Sequence, residues 1–145
     1  MISIWTLDKP YKDIRDERGT TRAWLPCSDV VVLSSTEHQT PYMMREITYV
    51  LDEGIRRAKK DGREKIVIFC VWYDLLSYDT EARRVAAEWG ERNKEHVSNI
   101  HISTRSVMFR MAIAVVNIAF RGNIVTHHSP KSLEKAAIRY MAERK

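Results

Sequence analysis

The sequence predicts a single-domain α/β fold: a mixed β-sheet with largely parallel core strands, flanked by about four helices. From Lys65 onward, strand-length apolar segments alternate with segments of helical period, in the order strand, helix, strand, helix, strand, helix. Such alternation needs crossover connections and hence parallel strands. Ile66 to Trp72 is apolar on both faces, as a central strand covered by helices on at least one side should be. A chain of 145 residues, 44% hydrophobic and 30% charged, lies in the size range of one globular domain with one continuous core, so residues 1–145 read as one unit.

Ile2 to Leu7 alternates apolar and polar positions and reads as a half-buried strand. Asp8 to Thr21 is charged, contains Pro10 and Gly19, and reads as an exposed connection. Arg22 to Leu25 and Asp29 to Ser34 flank Pro26-Cys27-Ser28 as two short strands around a turn, able to pair antiparallel at an edge of the sheet. Thr40 before Pro41 is a capping residue followed by proline in the first turn, and Met44, Ile47, Leu51, Ile55 and Ala58 recur at helical spacing. A helix from Pro41 to Lys60 follows, closed by cations and Gly62.

After the central strand, a second helix from Thr80 to about Glu95 buries Ala82, Val85, Ala86 and Trp89. Ile100 to Ser103 is a short strand, and Val107 to Arg121 is a third helix ended by Gly122. Ile124 to Thr126 is the last strand. Ser129-Pro130 opens a final helix whose inner face carries Leu133, Ala136, Ala137, Tyr140 and Met141.

Composition narrows the function classes. The net charge of +5 arises from 24 basic and 19 acidic residues that are interleaved along the chain, which describes a solvated surface better than a nucleic-acid stripe. Only Lys59, Lys60, Arg63 and Lys65 cluster, so nucleic acid is the least favoured partner. Cys27 and Cys70 have no CxxC spacing, and no charged-then-apolar leader is read at Met1, so a reducing cytoplasm is expected. Val107 to Phe120 is interrupted by Arg110 and Asn117 and is shorter than the roughly 20 residues a membrane-spanning helix needs. The five histidines form no helical i, i+4 pair, and His127 and His128 point to opposite faces of their strand, so no metal site is expected. The sequence shows neither a nucleophile elbow nor a glycine-rich phosphate loop. No catalytic constellation and no cofactor site is read, and the expectation is a non-enzymatic domain.

Ser77-Tyr78-Asp79-Thr80-Glu81-Ala82-Arg83 joins the central strand to the second helix through hydroxyls and carboxylates, at the carboxyl edge where an open α/β sheet places ligands. Asp79 suits a helix N-cap, accepting from a backbone N–H near Ala82. Arg83 is placed to reach back to Asp79, and Thr80 and Ser77 are candidate phosphoacceptors. Phosphate on Thr80 would gain from the helix N-terminus and lose to Asp79 and Glu81, with Arg83 and Arg84 available to compensate.

The order of elements and this junction resemble the STAS family of anti-sigma-factor antagonists over about Asp29 to Ala142. In that family the turn reads approximately D-S-[ST]-G, and a serine or threonine there is phosphorylated by a partner kinase. Asp79-Thr80-Glu81-Ala82 falls at the equivalent place, with Glu81 in place of the second hydroxyl and Ala82 in place of the glycine. The S-Y-D-x-x-A-R turn, followed by Trp89-Gly90 and a long apolar third helix, is closer still to uncharacterised bacterial STAS-like proteins. The resemblance implies a regulatory domain that binds a protein partner or itself. Its candidate contact residues are Tyr73, Asp74, Tyr78, Asp79, Glu81, Arg83 and Arg84.

A second reading comes from the third helix, where Phe109, Ile113, Val116 and Phe120 form a candidate apolar patch beside a polar stripe of Arg110, Ala114, Asn117 and Arg121. Those residues read equally as core, the helix being wedged between the sheet and a neighbouring helix, or as a patch for a second subunit, another protein or a lipid. An apolar pocket near the same helix would instead suit a carrier of a small apolar or acidic ligand or a lipid, with Arg110 or Arg121 at its head group.

Overall fold

The computed structural model describes residues 8–119 and 122–144. The predicted strand at Ile2 to Leu7 lies outside them. Among the described residues seven strands form one sheet: β1 (Lys12–Arg15), β2 (Gly19–Cys27), β3 (Val30–Gln39), β4 (Ile66–Val71), β5 (Leu75–Tyr78), β6 (Val97–Ser103) and β7 (Ile124–His127). Four helices accompany them: α1 (Pro41–Lys60), α2 (Thr80–Asn93), α3 (Val107–Ala119) and α4 (Pro130–Glu143). The strands run β1-β2-β3-β4-β6-β7, with β5 paired to β3. β1, β2 and β3 are antiparallel neighbours and all other pairings are parallel. This is the expected mixed sheet with a parallel core.

Alternation along the central strands assigns the layers. Val31 and Leu33 of β3, with Ile66, Ile68 and Cys70 of β4, join α1, α2 and Ile113 of α3 in one core. Val30, Val32, Val67 and Phe69 point the other way and meet Leu133 and Ala137 of α4. Cys70 is buried among apolar groups, which pushes its thiol up to about 12, and it is an inert core residue.

Helix starts follow local chemistry. The Thr40 hydroxyl accepts from the Met43 N–H at 3.2 Å, and Pro41 occupies the first turn where its missing N–H costs nothing. α4 repeats the device, with the Ser129 hydroxyl accepting from the Ser132 N–H at 3.1 Å. Gly62, at φ 75°, closes the end of α1 in a conformation that disfavours side chains.

Three expectations change. Residues 8–21, read as a connection, are mostly exposed but carry β1 and the start of β2, and Tyr11 N–H donates to Ala23 C=O at 2.8 Å. The early strands extend well beyond their apolar seeds because polar residues continue the ladder: buried Thr21 and Ser35 share a hydroxyl hydrogen bond of 3.0 Å. α2 ends at Asn93 and passes into a 3-10 turn, Lys94–His96.

Candidate functional site

β5 is the unforeseen element, and it builds the junction. The stretch after β4, expected as turn chemistry, extends again at Leu75–Tyr78 and pairs in parallel with the end of β3. Where β3 changes partner from β4 to β5, the register shifts between Glu37 and His38, and Glu37 takes φ 64°. A left-handed residue other than glycine is uncommon, and a bulge re-aims the side chains that follow it. The result sets His38 opposite Ser77 and Gln39 opposite Tyr78.

The His38 ring lies between two side chains of the junction. Its Nδ1 is 2.6 Å from the Ser77 hydroxyl and its Nε2 is 2.9 Å from Asp79 Oδ1. An ionised carboxylate only accepts, so Nε2 carries the proton toward Asp79 and Nδ1 presents its lone pair to Ser77 in the neutral ring. Arg18, from the β1–β2 hairpin, places Nη1 3.3 Å from both Asp79 oxygens, across 61 residues of sequence. Gly19 permits this approach. A Cβ there would stand 2.4 Å from the His38 carbonyl oxygen and 2.6 Å from that of Thr36.

Asp79 does occupy the N-cap position of α2, but its side chain makes no capping bond. Its oxygens face His38 and Arg18 instead, and the expected clamp from Arg83 is replaced by Arg18. Arg83 is exposed and makes no ion pair among the described residues. Arg84 pairs with Glu81 and with Glu88 along the helix, and its guanidinium holds the Glu81 carboxyl below its usual range. Thr80 is exposed at the first position of the helix, and Ser77 is exposed on β5.

Tyr73 and Asp74 meet a cation from elsewhere. Arg105, in the β6–α3 connection, lies 5.4 Å from the centre of the Tyr73 ring and 3.6 Å from Asp74. Tyr78 turns inward and stacks on Phe109 at 5.1 Å. Arg18, His38 and Arg105 were absent from the sequence reading. Each lies far along the chain from the junction, and no local spacing marks any of them.

The apolar patch on α3 is corrected. Phe109 and Ile113 are 6% and 9% exposed and belong to the core, because that side of the helix covers β6, β7 and Tyr78. Among the described residues of the helix, the large apolar side chains that are exposed are Val107, Met108 and Met111. The side chain of Val116 and all of Phe120 and Arg121 lie outside the described residues. Arg110 and Ala114 are exposed, while Asn117 turns back to bond both N–H and C=O of Ile124.

Beneath α1, α2 and α3 is an apolar cavity of about 220 Å³, lined by Leu33, Ile47, Trp72, Tyr78, Trp89 and Phe109 among others. The indole N–H of Trp72 is buried and has no hydrogen-bond partner among the described residues. Trp89 is satisfied, its Nε1 donating to Asp52 at 2.8 Å.

On the opposite layer, His101 and His127 approach at 3.0 Å, with His127 also 2.9 Å from Ser132. Burial, then the neighbouring His127, pushes His101 down to about 4. Among the described residues no group of three metal-ligating side chains occurs, and no helix is long and apolar enough to cross a membrane. In the basic cluster, Arg63 pairs with Asp61 and Asp29, which removes part of its free charge.

No family model and no curated protein matches the sequence. Solved structures do match by shape. An uncharacterised DUF3478-family protein with a SpoIIAA-like fold from Shewanella loihica PV-4 aligns at TM-score 0.58 and 11% identity, over 84% of this chain and 87% of its own. The anti-sigma factor antagonist SpoIIAA in its unphosphorylated form aligns at TM-score 0.56 and 11% identity, over 86% of this chain and 99% of its own. At that identity the likeness speaks to architecture: this chain has the SpoIIAA-like, or STAS-like, α/β fold.

Proposed function

We propose that this chain is a cytoplasmic regulatory domain that binds a protein partner through the β5–α2 junction. The observation that carries the reading is the construction of that junction. Arg18 and His38, from a turn and a strand remote in sequence, both pair with Asp79, and Ser77 meets the other nitrogen of the same His38 ring, while Thr80, Glu81 and Arg83 remain exposed beside them. A rigid base carrying exposed polar groups lowers the ordering cost of docking.

The same geometry bears on phosphorylation of Thr80. The negative neighbours that would oppose it are each paired, Asp79 with Arg18 and Glu81 with Arg84. The first-turn amides of α2 receive no side-chain cap, and the helix end favours an anion by about 0.3 to 1 kcal/mol. Arg83 is the available cation, and exposed pairs of this kind contribute about 0.2 to 1 kcal/mol. Attraction is therefore no longer balanced by repulsion of equal size.

Site-specific photo-crosslinking in cells tests the docking surface. A photoreactive residue replacing Thr80 or Arg83 is expected to capture a defined protein, and one replacing Lys60 at the far end of α1 is not. Equal capture at all three positions, or none at the junction, would overturn the reading. Intact-mass measurement of the purified protein, mapped to Thr80 or Ser77, reads the phosphate directly.

A second reading is favoured by the cavity. Its apolar walls suit a small apolar molecule. Trp72 and Trp89 line the space, so titration with decanoic acid should change tryptophan fluorescence saturably. A flat or linear response would remove this reading.

A further inference from the structure

We propose that Ser77, His38 and Asp79 form a nucleophilic triad, with Ser77 able to accept an acyl group from a small activated carboxylic ester. This activity goes beyond partner docking and does not depend on it. The three residues satisfy the geometric roles that define such a site: nucleophile to base at 2.6 Å and base to orienting carboxylate at 2.9 Å. The two ring nitrogens hold the reverse of the serine-protease roles, Nδ1 facing the nucleophile and Nε2 the carboxylate, yet each side of the ring still has the partner its role needs. Asp79 fixes the proton on Nε2, so the Nδ1 lone pair faces the Ser77 O–H and can take its proton.

Access is equally suited. Ser77 is exposed, whereas the His38 side chain is only 12% exposed and cannot swing freely. Asp79 is held from its other side by Arg18 at 3.3 Å, which makes it a positioning residue rather than a proton acceptor. Ser77 and Tyr78 are successive on β5 and face opposite ways; Tyr78 lines the cavity, so Ser77 opens outward. An outward nucleophile without an enclosed acyl pocket suits short, unhindered esters.

The step balances without an added oxidant or metal. Ser77 Oγ bonds to the ester carbonyl carbon as His38 Nδ1 takes the hydroxyl proton. The ester C–O bond then breaks, and the alcohol leaves with that proton. Water next attacks the acyl-serine, His38 accepting and returning one proton, and the carboxylic acid is released. The uncapped first-turn amides of α2 lie next in the chain, where N–H groups can stabilise a developing oxyanion.

The test uses the full chain with p-nitrophenyl acetate and, separately, a small fluorophosphonate, followed by intact mass and peptide mapping. One adduct per chain on Ser77 is expected, with Ser77→Ala losing it. His38→Asn should slow modification of Ser77 by about 100-fold or more, the usual contribution of a general base. Asp79→Asn should slow it and shift its pH profile, with partial rescue by Asp79→Glu. Circular dichroism confirms that each variant is folded, and mapping on the parent protein needs no variant at all. Modification confined to lysine or tyrosine, an unmodified Ser77, or a Ser77 rate unchanged in folded His38→Asn would each overturn the proposal.

Discussion

Replacing Gly54 by alanine sets two known effects against each other, and the structure decides which wins. Alanine in a helix interior is favoured over glycine by about 1 kcal/mol. At Gly54, however, the new Cβ would stand 2.6 Å from Val31 Cγ2, with Ile66 Cδ1 and Leu25 Cδ2 both at 3.9 Å. Carbon contacts are optimal at about 3.5 to 4.0 Å, so the overlap is on the order of 1 Å. Val31 is fully buried in β3, and a β-branched side chain on a strand has little freedom to turn away. Overpacking costs about 1 to 3 kcal/mol, and the upper half of that range applies here. The net expectation is a loss of about 1 to 2 kcal/mol, or roughly 3 to 6 °C in Tm. The assay is chemical and thermal denaturation of the parent, Gly54→Ala, Val31→Ala and the double variant. With the valine methyls gone, the same glycine replacement should stabilise, a reversal corresponding to coupling of about 2 to 3 kcal/mol. A Gly54→Ala protein that melts at or above the parent, or a double variant that is merely additive, would refute the assignment of this close approach.

Trp89→Ala should cost about 3 to 5 kcal/mol in urea denaturation, because the ring is 4% exposed in the core; Trp89→Phe, which loses mainly the bond to Asp52, should cost about 1 to 2 kcal/mol. Asp29→Ala should destabilise by about 3 kcal/mol, the low end for breaking a buried pair, since Asp29 is 2% exposed and accepts from Tyr140 at 2.6 Å and Arg144 at 2.7 Å while its cations keep some water. Stability should fall as pH drops from about 6.5 toward 4: His101, pushed down to about 4 by burial and then His127, stays neutral in the fold while the unfolded chain takes up a proton near 6.5. Thermal melts of the parent and His101→Phe across that window check it, and the variant should lose part of the slope.

The features legible in the sequence were those encoded within a few residues. Thr40-Pro41 and Ser129-Pro130 specify helix starts by a hydroxyl and a ring placed side by side, and both caps appear as read. Ile66 to Trp72 declares a covered strand by having no polar face, and β4 occupies the middle of the sheet. β5 was illegible because Leu75-Leu76-Ser77-Tyr78 has neither length nor alternation; it is extended because the displaced end of β3 offers it unpaired backbone groups. The inward turn of Phe109 was equally hidden. A helix apolar around most of its circumference does not state which side meets the sheet, and the Tyr78 ring supplies that information only after folding.

The chemistry of the junction was missed for a related reason. Asp79 satisfies every local criterion for a capping residue, and local reasoning therefore stops there. In the fold its carboxylate has better partners than a backbone amide: a guanidinium from the β1–β2 turn and an imidazole N–H from β3, neither a sequence neighbour. Charge-assisted bonds are about twice as strong as neutral ones, so the side chain leaves the cap position once Arg18 and His38 arrive. With Asp79 turned to Arg18 and His38, the other His38 nitrogen lies against Ser77 and the first-turn amides of α2 receive no side-chain cap.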